Sequence, residues 1–67
     1  MLNVQLLDEK IEQSGFKVGH LVDTLGLSRQ GFDKKRKGKT PFRKAEIYVL
    51  SDLLGLTETE KNQIFFA

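Results

Sequence analysis

The side chains best equipped to bind something lie in one stretch, Ser28-Arg29-Gln30-Gly31-Phe32-Asp33-Lys34-Lys35-Arg36-Lys37-Gly38. Their chemistry is recognition rather than bond-making: an amide, guanidinium groups and ammonium groups that hold hydrogen-bonding edges and anions. At about 100° per residue, Ser28, Phe32 and Lys35 share one side of a helix, with Phe32 as its large apolar anchor. Gln30, Asp33, Lys34 and Lys37 form the opposite stripe, flanked by Arg29 and Arg36. One anchor against so many polar groups describes a helix docked by an edge, with its outer face free to meet a partner. A merely solvated charged face is the plainer alternative.

The residues before this stretch position it. Leu21, Val22 and Leu25 fall at i, i+1 and i+4, the apolar face of a short helix. Gly26 follows where a helix stops in a left-handed residue, and Leu27 is a buried plug in the turn. Ser28 then caps the next helix, which spans Arg29 to Lys37. So short a turn forbids an antiparallel pair, so the two helices should cross steeply. That is the helix-turn-helix arrangement, expected at about residues 17–37, whose second helix enters the major groove of DNA.

Charge distribution points the same way. The chain of 67 residues has a formal net charge of +2, but the charge is polarised. Residues 29–44 hold eight Lys and Arg against Asp33 alone, a balance of +7, and the rest of the chain is −5. One basic pole is the footprint expected for a polyanion ligand. The absence of Cys excludes a disulfide, a thiolate metal site and a Cys nucleophile. One His and scattered carboxylates make no metal constellation, and no phosphate-cradling Gly loop or acid/base pair is present. No enzymatic activity, metal or cofactor is therefore expected. Apolar runs are too short to span a membrane, and the N-terminus lacks a signal peptide, so a cytoplasmic, nucleoid-associated protein is expected.

Taken in order, the chain predicts five helices in one domain, residues 1–67, an all-α compact bundle. Gly15, Gly26, Gly38 and Gly55 each follow a helical stretch and read as its stop. Helix one runs from Asn3, its cap, to Ser14, with Val4, Leu7 and Ile11 inside; Phe16 should pack back onto it. Helix two covers Lys17 to Leu25, with Gly19 suited to close packing and His20 facing solvent. In helix three, Gly31 either clears space for a neighbouring helix or lets the backbone approach a phosphate or base. Thr40-Pro41 opens helix four as cap and first residue. Its apolar face is Phe42, Ala45, Val49 and Leu53, with Ile47, Leu50 and Leu54 as further members. Thr57 and Glu60 form a capping box that opens helix five, which carries Ile64, Phe65 and Phe66. The expected core is Leu7, Ile11, Leu21, Leu25, Leu27, Phe32, Phe42, Val49 and Leu53. Phe65 and Phe66 point about 100° apart on a helix, so either one joins the core and the other is a candidate dimer contact, or the pair is a frayed, partly buried end.

Leu25-Gly26-Leu27-Ser28 with an aromatic at Phe32 resembles the helix-turn-helix of Cro-like and lambda-repressor-like regulators, the XRE class. Lys35-Arg36-Lys37-Gly38-Lys39-Thr40-Pro41-Phe42, then Glu46-Ile47 and Ile64-Phe65-Phe66, are similar to small phage and mobile-element members. The likeness covers nearly the whole chain and is most specific at the central turn. Two positions depart from it. Val22 stands where Ala is usual and should push the helices slightly apart, and Arg36 stands where an apolar residue is common.

The resemblance implies that Ser28, Arg29, Gln30, Asp33 and Lys34 read bases and that Lys37 also faces DNA. Gln30 suits an adenine edge, and Arg29 suits guanine or a phosphate. Lys37, Lys39, Arg43 and Lys17 are expected on phosphates, which fix position without reading sequence. Asp33 either accepts from cytosine or orients Arg29 one turn earlier. The function implied is sequence-specific binding to a double-stranded DNA operator by a small homodimeric transcriptional regulator, of the repressor kind. With no second domain, no small-molecule effector is expected. The alternative is a protein–protein interaction module, antirepressor or antitoxin-like, that keeps this architecture without reading DNA.

Overall fold

The computed structural model describes residues 1–66, which form five helices and no strand. They are α1 (Val4–Ser14), α2 (Val18–Leu25), α3 (Arg29–Arg36), α4 (Lys44–Leu54) and α5 (Glu58–Phe65). Ala67, the last residue of the expected domain, lies outside the described residues. Three of the helix starts are set by side chains that accept from otherwise unpartnered amides. Asn3 Oδ1 accepts from the Leu6 N–H at 3.1 Å, Ser28 Oγ from the Gly31 N–H at 3.0 Å, and Thr57 Oγ1 from the Glu60 N–H at 3.1 Å. Glu60 reaches back to the Thr57 N–H at 2.9 Å, completing the expected capping box.

The ends of α2 and α3 share one device. Gly26 (φ +69°) turns the chain so that the Leu27 N–H reaches the Val22 carbonyl at 3.1 Å. Gly38 (φ +82°) does the same for the Lys39 N–H and the Lys34 carbonyl at 2.9 Å. Only Gly takes this left-handed conformation without a Cβ penalty. In the first case the turn delivers half-buried Leu27 against the core, between the two helices that carry the candidate site.

Leu7, Leu21, Phe32, Leu50 and Ile64 are fully buried, with Ile11, Val22, Ile47 and Phe65 around them. Phe32 meets Phe42 edge-on at 6.4 Å between ring centroids, and Phe42 meets Phe65 at 5.6 Å. This aromatic series links α3 to α5 through the segment between α3 and α4. α1 packs against α3, α4 and α5, while α2 packs against α3 and α4. The Asn3 N–H donates to the Ile64 carbonyl at 2.7 Å and ties the entry of α1 to the last turn of α5. The radius of gyration is 10.6 Å, close to the roughly 11 Å of a well-packed chain this long. No helix among the described residues is long and apolar enough to cross a membrane.

Several expectations need correcting. α4 starts at Lys44 with Arg43 as its cap, not at Thr40-Pro41. Thr40 is instead drawn into the exit from α3, its N–H directed at the Lys34 carbonyl at 3.4 Å. The buried face of α4 is Ile47, Leu50 and Ser51; Val49 is 37% exposed and Ala45 lies on the surface. Leu25, Leu27, Phe42 and Leu53 flank the core half-buried rather than forming it. Apart from its own helix backbone and chain neighbours, nothing lies within 4 Å of where a Gly19 Cβ would be, so close helix packing does not explain it. A Cβ on Gly31 would meet only Ser28 Oγ, at 3.1 Å, so no neighbouring helix demands glycine there either. Phe16 stacks on His20 of α2, ring centroids 5.0 Å apart, and stays exposed.

Candidate nucleic-acid interface

The candidate site grows from the way α3 is held. Phe32, with no exposed surface, is the helix's only fully anchored side chain. Burying it fixes the rotation of α3 and therefore what the opposite side presents. Gln30, Lys34 and Lys37, at i, i+4 and i+7, form one exposed stripe, and Arg29 is exposed beside it. The three last-turn cations Lys34, Lys35 and Arg36 also sit where the helix dipole favours positive charge.

Not all of the basic pole is available to a ligand. Lys35 Nζ lies 2.6 Å from Glu46 Oε1 of α4, in a pair whose side chains are only 15% and 11% exposed. Arg36 Nε lies 3.6 Å from Asp8 Oδ1 of α1. These two cations fasten α3 to the scaffold. Arg36 thus finds its partner in a carboxylate of α1. Lys34, Lys37, Lys39, Arg43 and Lys44 have no carboxylate within ion-pair distance among the described residues. Burial alone would raise the Glu46 carboxyl. The hydrogen bond from Lys35, the Arg43 N–H at 2.9 Å and the charges of both residues outweigh it and hold the group below its ordinary value.

Each expected contact residue can be placed. Ser28 is exposed, and although its oxygen accepts from the Gly31 N–H, its hydroxyl proton and second lone pair remain for a ligand. Asp33 is half-buried, with Oδ1 3.5 Å from Arg29 Nε, an ion pair rather than a hydrogen bond. Oδ1 is inaccessible to solvent and fits the Arg29-orienting role, while the side chain as a whole is 35% exposed and leaves reception of a cytosine amine open. Lys39 and Arg43 are exposed on the segment that leaves α3, and Lys17 is exposed as the cap residue just before α2. Phe65 is buried at 8% exposure, so it is removed from the candidate dimer contacts; Phe66, 60% exposed, stays on the surface. The Lys35–Glu46 and Arg36–Asp8 pairs escaped sequence reasoning, because both cross between helices and leave no mark in local spacing. No protein-family model, curated protein or solved structure matches the chain.

Proposed function

We propose that this chain binds double-stranded DNA sequence-specifically, with α2 and α3 as a helix-turn-helix and α3 in the major groove. Its role on this reading is that of a small, homodimeric, cytoplasmic transcriptional regulator of the repressor kind. One observation carries the proposal: α3 is locked by Phe32 on one side while Arg29, Gln30, Lys34 and Lys37 are left exposed on the other. A helix held that way meets the two needs of groove recognition, a fixed register and an unencumbered polar face. The residues also divide by position. Arg29 and Gln30 stand in the first turn, the part that reaches base edges in such proteins, and Lys37, Lys39 and Arg43 follow where the groove wall is phosphate. The Asp33 contact pre-orients Arg29 for a planar acceptor such as a guanine edge.

The test is enrichment of bound sites from random duplex DNA. A palindromic motif is expected, its half-sites about one helical turn, roughly 10 base pairs, apart. Recovery of unselected sequence, or binding that falls with salt identically for every duplex, would remove sequence reading and leave only a polyanion surface.

A further inference from the structure

The surface beside the last turn of α5 is apolar and basic at once. Two hollows, of about 400 and 320 Å³, adjoin there and share Phe42, Ile47 and Phe66 as walls. Pro41 helps line the first, and Tyr48, Lys44 and Lys61 line the second. Tyr48 and Phe66 are 52% and 60% exposed, so much of this apolar area is open to water. Lys61 Nζ stands 5.0 Å from the centre of the Tyr48 ring. The Lys61 side chain is 13% exposed, and its carboxylate partner, Glu58 at 2.9 Å, is 78% exposed. Lys44 has no such partner among the described residues.

We infer that this groove receives an acidic amphipathic helix of a partner protein, its apolar side chains filling the two hollows and its carboxylates meeting Lys44 and Lys61. The inference is independent of DNA reading, since none of these residues lies on α3. Two adjoining hollows match successive anchors of a helix laid in a groove, which recur every three or four residues. A single compact ligand would fill only one. The lysines select the sign of the partner's charge: a carboxylate replaces water on exposed Lys44 and competes with Glu58 for Lys61, whereas a basic segment would be repelled. The same lysines argue against a second copy. A two-fold contact pairs a patch with itself and would bring the Lys44 and Lys61 charges of both copies into one interface. The dimer of the proposed function is accordingly expected to use another face.

The experiment is selection of displayed random peptides on the intact chain, with counter-selection on a Tyr48→Ser, Phe66→Ser double variant. Both positions are exposed, so the variant should keep its helicity by circular dichroism. Enriched peptides should carry Asp or Glu beside Leu, Ile or Phe at helical spacing. They should bind the double variant about thirtyfold more weakly, the loss typical of an interface hot spot. Lys44→Glu, which leaves the hollows intact, should abolish the preference for acidic over neutral versions of one peptide. Enrichment of peptides without acids, or of none over the variant, overturns the inference. So does a sedimentation result in which the chain forms a dimer that Phe66→Ser dissolves, since a second copy then fills the groove. Dodecanoate shifting the amide resonances of Tyr48 and Lys61 where no peptide does would replace the partner helix with a small amphipathic anion.

Discussion

The two edges of α3 carry the same kinds of side chain in opposite surroundings. Lys34 and Lys37 on the outer edge are exposed with no carboxylate in reach, while their neighbours Lys35 and Arg36 are tied to Glu46 and Asp8. Charge counted along the sequence treats all four alike. In the folded chain two belong to the scaffold and two to whatever α3 meets. Substituting the inner pair should therefore damage stability, and substituting the outer pair should damage binding.

The largest effect should come from the residue that separates the edges. Phe32→Ala should cost about 3–5 kcal/mol, enough to unfold much of so small a domain and erase the distinction between the edges. Urea denaturation followed by circular dichroism measures it. A variant that kept the parent midpoint would show that Phe32 does not hold α3 in place.

Next comes the inner edge. Lys35→Ala removes the cation from a Glu46 carboxylate that is only 11% exposed and keeps just the Arg43 N–H as hydrogen-bond donor, and should cost about 1.5–3 kcal/mol, the range for a hydrogen bond to a charged group. Lys34→Ala should stay within about 0.5 kcal/mol. Equal losses for the two lysines would dissolve the comparison. The pair also carries a pH signature. Because folding lowers the Glu46 pKa, its stabilisation is present above the unfolded value of roughly 4.3 and lost as pH falls through the lower folded value. Thermal melts of the parent and of Glu46→Gln should differ at pH 7 and converge as the pH falls below that range. Glu60, held down by its hydrogen bonds from Lys10 and the Thr57 N–H, adds to the same acid limb and should remain in both.

On the outer edge the expected changes are in binding. Gln30→Ala should lose about 1–3 kcal/mol on the preferred duplex and little on random DNA. The smallest effect belongs to Lys39→Ala, which should weaken both duplexes nearly equally and reduce the salt slope by about one unit. Fluorescence anisotropy at several salt concentrations reads both variants. Identical shifts on specific and random DNA for Gln30→Ala would end the claim that this edge reads sequence.

Local signals carried much of the architecture. Asn3, Ser28 and Thr57 cap where their side chains predict, and Gly15, Gly26, Gly38 and Gly55 all take positive φ at helix ends. Such features depend on a few adjacent residues, so spacing reveals them. α4 was harder for a physical reason. Ile47-Tyr48-Val49-Leu50 is apolar on every side of the helix, so periodicity cannot decide which face turns inward; packing against α1 and α2 decides it. Thr40-Pro41 looks like a helix start. The turn after Gly38 engages Thr40 first, and α4 begins where Glu46 can reach back to the Arg43 N–H. In the candidate site, exposure of the α3 stripe was legible from its period. The diversion of Lys35 and Arg36 was not, because their partners lie on other helices.

The bond from Asn3 to Ile64 also bears on how the protein comes into being. Ile64 and Phe65 complete the core, yet a ribosome adds them after every other core residue. At about 5–20 residues per second, the preceding sixty or so residues take roughly 3–12 s to make. Once made, Leu7 and Ile11 have no α5 to cover them until that interval ends, and the Asn3 amide has no carbonyl to find. Closure is consequently a late event in the life of each nascent chain. The speed of translation thus enters the time for which the apolar stripe of α1 waits for its cover.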